Sequence, residues 1–216
     1  MTLEQLNALD REAGEQVFLR CCGSTKWARG MAARRPFLDT ETLFERAERL
    51  WHRLDADDWL QAFAAHPRIG ESKPAGGPRG AAGVPGGPDG TGGTGAAGGS
   101  GGTGGSGATG RAPAVDGLGL DWSAREQSGM DVADADTRQR LAAVNRDYEA
   151  RFGFTYIVCA TGKSAGEMLD IAERRLTHRR DEEIRIAAAE QLKITRLRLA
   201  TLVSSKFEVR SSKAEV

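Results

Sequence analysis

Phe154-Thr155-Tyr156-Ile157-Val158-Cys159-Ala160 decides the fold, because it is the one run of the chain that reads as a strand, β-branched and aromatic throughout. A strand needs partners to take up its backbone hydrogen bonds, and even an isolated pair is marginal in water. No second run of this kind occurs in the sequence. The segment is therefore expected as extended, buried chain between helices. The fold class is all-α, a single helical domain of about seven to eight helices.

The helices are read outward from that segment. Downstream, residues 164–178 and 182–204 form two of them. In the last, Ile184, Ala188, Gln191, Thr195, Arg198 and Leu202 recur at alternating spacings of four and three, which is one stripe of a helix. Arg198 thus lies on the core-facing side, and a guanidinium there needs a carboxylate, an anion or a substrate. Arg196 points well away and is expected as a solvated charge. Upstream, 134–151 carries Leu141, Val144, Tyr148 and Phe152 on one face and stops at Gly153. At the start, Thr2-Leu3-Glu4-Gln5 is a capping box opening a helix to about residue 20, with Leu6, Leu9, Ala13 and Val17 inward. A short helix over 25–34 stops before Pro36. Asp39 caps a third, with Leu43, Ala47, Leu50, Trp51 and Leu54 at helical spacing. Asp55 caps a fourth, with Leu60, Phe63 and Ala64 on one face. Pro67 disfavours helical geometry at His66 and ends it there.

Residues 76–110 hold 18 of the 28 glycines, interleaved with Ala, Pro, Ser and Thr. Such a stretch cannot bury enough apolar surface to offset its ordering entropy. Residues 72–117 are expected as a flexible, disordered insert in a single domain spanning 1–216. Lys plus Arg equals Asp plus Glu at 30 each, which argues against a nucleic-acid-binding surface. Cys21, Cys22 and Cys159 show no disulfide framework and fit a reducing compartment. The start lacks a signal-peptide pattern and no run approaches a membrane span, so a soluble cytoplasmic protein is expected.

Several chemistries fail on spacing. Thr161-Gly162-Lys163-Ser164 follows an extended run and opens a helix, yet a phosphate loop needs glycine where Ile157 stands. His52, His66 and His178 show no metal-ligand spacing with the cysteines, so no metal is expected. No nucleophile elbow or Cys/His pairing is apparent. What remains is acid–base chemistry without a cofactor. His66 is its natural carrier, an imidazole of reference pKa ~6.5 placed at a helix stop.

Four further motifs accompany His66-Pro67-Arg68-Ile69-Gly70: Trp122-Ser123-x-x-Glu126-Gln127-x-Gly129, Phe152-Gly153-Phe154-x-Tyr156-Ile157-Val158-Cys159-Ala160, Arg175-Leu176, and Glu190-x-x-Lys193-Ile194-x-x-Leu197-Arg198-Leu199. In this order they resemble the 2-oxo-4-hydroxy-4-carboxy-5-ureidoimidazoline (OHCU) decarboxylase family, across essentially the whole chain outside the insert. That resemblance implies an all-α, homodimeric enzyme that converts OHCU to (S)-allantoin in urate breakdown without a cofactor. It makes His66 the catalytic histidine and Glu126 its acidic partner. Pro67, Ser123, Gln127 and Arg198 would contact substrate, with the backbone of Tyr156, Ile157, Val158, Cys159 and Ala160 lining the pocket. The chain departs from the family pattern in its long insert, in His178 where asparagine is common, and in Thr161 where arginine often sits. Which of His66 and Glu126 delivers the final proton is left open. The competing readings are a non-enzymatic helical ligand-binding or interaction module, and another cofactor-free decarboxylase or ureido-ring lyase on the same scaffold.

Overall fold

Side chains of Thr2, Asp10, Ser24, Asp39, Asp55, Asp134 and Ser164 each accept the backbone N–H three residues on, and each begins a helix. A computed structural model describes residues 1–69 and 133–204. Within them run α1 (Leu3–Ala8), α2 (Arg11–Cys22), α3 (Thr25–Ala32), α4 (Thr40–Trp51), α5 (Ala56–Ala64), α6 (Ala135–Phe152), α7 (Ala165–Arg175) and α8 (Arg180–Ser204). The fold is all-α, and no strand occurs among the described residues. The expected disorder of 72–117 lies outside them.

The expected first helix is two helices. Leu9 turns extended, and the Asp10 carboxylate accepts the Ala13 amide at 2.8 Å, restarting the chain as α2. The guanidinium of Arg35 fills the break, donating to the carbonyls of Leu6 (2.9 Å), Leu9 (2.7 Å) and Asp10 (2.9 Å). The carbonyls of Leu6 and Leu9 are acceptors that the end of α1 leaves open, whereas that of Asp10 also accepts the Gly14 amide as α2 begins. In α5 the inward residues are Ala62 and Phe63, whereas Ala64 is exposed. The last turn tightens there, with the Ala65 amide reaching back only to Ala62, so the expected phase slips.

The 25-residue α8 is the spine of the bundle and packs against α2, α4 and α5. Two buried indoles tie the layers through polar bonds as well as area: Trp27 Nε1 donates to the Ala47 carbonyl and Trp51 Nε1 to that of Ala188, both at 3.0 Å. The stripe Ile184, Ala188, Gln191, Thr195, Arg198 and Leu202 is buried along its whole length, as expected. Arg196 is exposed and stacks over the Phe44 ring at 5.0 Å.

Residues 155–160 form neither helix nor strand, and 154–160 are buried except Thr155, with aromatic contacts holding the segment against α5 and α6. Phe154 meets Phe63 at 5.4 Å and Tyr148 at 5.7 Å between ring centroids, and Tyr156 meets Tyr148 at 5.2 Å. The segment thereby crosses the end of α5, where His66 sits. Among the described residues, no helix is long and apolar enough to cross a membrane.

Candidate functional site

Ala65 caps α5, the His66 amide still bonds the Phe63 carbonyl at 3.0 Å, and Pro67 then forces the chain outward. Gly23 helps fix this corner. Its φ is +87°, and a Cβ there would stand 2.6 Å from Ala65 Cβ, so only glycine lets the end of α2 close onto the end of α5. The chain leaving His66 is fastened to α6. Arg68 forms a two-pronged pair with Glu149, both bonds 2.7 Å, and Asn145 donates to the Ile69 carbonyl at 2.8 Å.

The His66 ring faces the polar part of the α8 stripe. Its Nε2 is buried and meets no hydrogen-bond partner among the described residues. Burial, reinforced by the charge of Arg198 and opposed by the Gln191 amide, pushes the imidazole down to about 3. It is therefore neutral at neutral pH, with the proton on one ring nitrogen and a lone pair on the other. Gln191 and Arg198 do a second job, since Gln191 Nε2 donates to the Cys22 carbonyl at 3.3 Å and Arg198 to that of Cys21 at 3.4 Å. These are unsatisfied carbonyls of the α2 terminus. The thiols of Cys21 and Cys22 are pushed up to about 12, chiefly by burial, and are poor nucleophiles.

Across from His66 stands residues 156–160. A narrow cleft is lined by His66, Pro67, Ile69, the five residues Tyr156, Ile157, Val158, Cys159 and Ala160, and by Thr161, Ile194 and Leu197. Backbone that lies outside helices, with no strand among the described residues to pair with, must find its hydrogen bonds elsewhere. Here side chains supply them. Arg175 donates to the Ile157 carbonyl at 2.8 Å, the Cys159 amide donates to Glu190 at 2.8 Å, and Lys163 Nζ donates to the Cys159 carbonyl at 2.7 Å. Arg175 is itself held by the fully buried Glu183, whose carboxylate also accepts the Tyr148 hydroxyl and meets His178 Nδ1 at 2.7 Å. Both oxygens of this buried carboxylate are thereby hydrogen-bonded.

Seven of the residues expected at the site, His66, Pro67, Tyr156, Ile157, Val158, Cys159 and Ala160, line this one cleft. Arg198 lies beside His66, close enough for its charge to act on the ring. Ser123, Glu126 and Gln127 lie outside the described residues. The sequence placed Gln191 on the inward stripe without a role, and it passed over Thr161, Ile194 and Leu197. The last two share one face of α8 at i, i+3 spacing, a signal available only once the wall opposite is known. A larger cavity of about 560 Å³ opens between α4 and α8, walled by Phe44, Trp51, Trp59 and Leu199. Its one imidazole, His52, is exposed and stands 3.6 Å from Glu48.

The profile of the OHCU decarboxylase family matches residues 7–82 and 110–200 of this chain. The uric acid degradation bifunctional protein TTL of Arabidopsis thaliana is 30% identical over 199 residues, covering 92% of this chain and 50% of that protein. The chain thus spans half the length of that relative. The 2-oxo-4-hydroxy-4-carboxy-5-ureidoimidazoline decarboxylase of Haloferax volcanii is 24% identical over 207 residues, covering 95% of this chain and 98% of that one. Among solved structures, an OHCU decarboxylase crystallised in the presence of (S)-allantoin superposes with a TM-score of 0.61 at 27% identity, over 91% of this chain and 99% of the other.

Proposed function

The chain belongs to the OHCU decarboxylase family, and from that membership we propose that it converts OHCU to (S)-allantoin, with His66 as the proton carrier. One observation supports the assignment of His66 above the rest: it lines a cleft walled by the 156–160 backbone, its Nε2 is buried with no hydrogen-bond partner among the described residues, and the Arg198 charge acts on its ring.

The substrate has a carboxylate and a hydroxyl on one ring carbon, next to a C=N carbon that bears the ureido group. When the bond to the carboxylate breaks, its electron pair forms a double bond to that neighbouring carbon, and the C=N pair moves onto nitrogen, which takes a proton. The hydroxyl then loses its proton to become the ring carbonyl, and a proton arrives at the ureido-bearing carbon. Each atom is accounted for with proton carriers alone. His66 relays the hydroxyl proton, the negative charge of the bound substrate offsetting the burial and the Arg198 charge that hold the free ring down. Arg198 suits the substrate carboxylate through charge-assisted bonds in fork geometry. The peptide groups of residues 156–160 suit the ring and ureido amides. Glu126, with Ser123 and Gln127, completes the assignment by resemblance, as acidic partner and substrate contacts. A proton delivered from one wall of the cleft gives one hand of allantoin.

We also read the chain as one domain carrying a 72–117 insert, as a cytoplasmic protein by its free thiols, and as a homodimer by its resemblance. Light scattering on the purified protein decides the last point. For the activity itself, protein is added to freshly generated OHCU while absorbance and optical rotation are followed. Accelerated decay with growing optical rotation supports the reading, and decay at the blank rate with no rotation overturns it.

A further inference from the structure

The wall facing His66 depends on two residues to which neither the resemblance nor the comparisons give a role. The Cys159 peptide is gripped on both sides: its N–H by Glu190 Oε2 at 2.8 Å and its carbonyl by Lys163 Nζ at 2.7 Å. Lys163 closes the turn as well, its own amide donating to the Ala160 carbonyl at 2.9 Å. Glu190 stands on α8 one turn before Ile194 and two before Leu197, both of which line the cleft. Its second oxygen receives Lys193 Nζ at 2.5 Å, and its side chain is only 14% exposed. Glu190 thus bolts the extended segment to the same helix that carries Gln191 and Arg198. It does not line the cleft, so it reaches substrate only through the Cys159 peptide.

We propose that Glu190 and Lys163 are positioning residues of the decarboxylase reading, on which this inference rests: together they fix the Cys159 peptide and with it the substrate-facing backbone opposite His66. The chemistry asks for this. With no strand beside it among the described residues, the segment has no ladder to hold its register, and a displacement of about 1 Å costs on the order of 10²-fold in rate where geometry sets the reaction. The Glu190 carboxylate is also held ionised. Burial alone would raise it, but the bond to Lys193, the Cys159 amide and the nearby lysine charges outweigh burial and lower it. An ionised acceptor makes the stronger bond to a backbone amide.

The test uses Glu190→Ala, which removes the acceptor, and Glu190→Gln, which keeps an oxygen for the Cys159 amide. Two readouts are taken: hydrogen exchange of the 156–160 backbone in the free protein, and kcat and KM on OHCU. Glu190→Ala should exchange faster at Cys159 and lose about 10–100-fold in kcat/KM, with the thermal midpoint little changed. Glu190→Gln should restore most of both. Should Glu190→Ala fail to fold, Lys163→Met removes the other grip, on the Cys159 carbonyl, and should produce the same pair of effects. Faster exchange with wild-type kinetics overturns the proposal, as does equal loss in the Ala and Gln variants. A wild type inert toward OHCU, with Cys159 exchange protected and sensitive to Glu190→Ala, would instead overturn the decarboxylase reading while leaving the clamp standing.

Discussion

Replacing His66 by asparagine should alter how stability responds to pH more than it alters stability at pH 7. In the folded protein the imidazole is held down to about 3, first by burial and then by Arg198. In the unfolded chain it returns to ~6.5. Between those values the unfolded state binds a proton that the folded state refuses, so stability is present above ~6.5 and drains away as pH falls toward 3. One such group costs up to ~1.4 kcal/mol per pH unit, or about 2 kcal/mol from pH 6.5 to 5. Carboxylates with lowered values, such as Glu149 and Glu190, also erode stability in acid, but they are common to both proteins and cancel in the comparison. Urea unfolding followed by circular dichroism at pH 7, 6 and 5 gives the two curves. The wild type should lose about 2 kcal/mol more than His66→Asn across that range. Parallel curves would mean that His66 titrates normally in the folded protein and that neither burial nor Arg198 holds it down.

Arg198→Lys should raise KM sharply, because a point charge cannot reproduce a bidentate fork, whereas Arg196→Lys, exposed over Phe44, should be nearly silent in the same steady-state assay. Glu183→Gln should destabilise the fold by ~3–5 kcal/mol in urea melts, since it leaves Arg175 buried without its counter-charge. Gly23→Ala should cost ~1–3 kcal/mol by the same measurement, combining a left-handed backbone with a contact of 2.6 Å against Ala65.

What the sequence disclosed follows the range of the interactions involved. The stripe through Arg198 was legible because helical phase is local, and its six residues are all buried. The solitary strand-like run was legible for a negative reason, the want of any partner run. The break at Leu9 was not, because Leu6, Leu9, Ala13 and Val17 continue one amphipathic pattern straight through a residue, Asp10, that caps as readily as it solvates. Ala64 was misplaced because the last turn of α5 tightens, and phase counted at 3.6 residues per turn fails over such a turn. The grip of Glu190 on Cys159 spans 31 residues and joins a carboxylate to a backbone amide. No side-chain pattern advertises a bond of that kind, although both residues stood in the motifs that carried the family resemblance.

Circular dichroism followed in parallel as wild type and His66→Asn consume OHCU shows whether His66 drives a one-handed decarboxylation. Wild type should yield a growing signal of (S)-allantoin, and the variant should lose ~10²–10⁴-fold in rate while keeping the helical spectrum of the fold. A variant within about threefold of wild type, a loss far below the range expected of an acid–base group, would contradict the account.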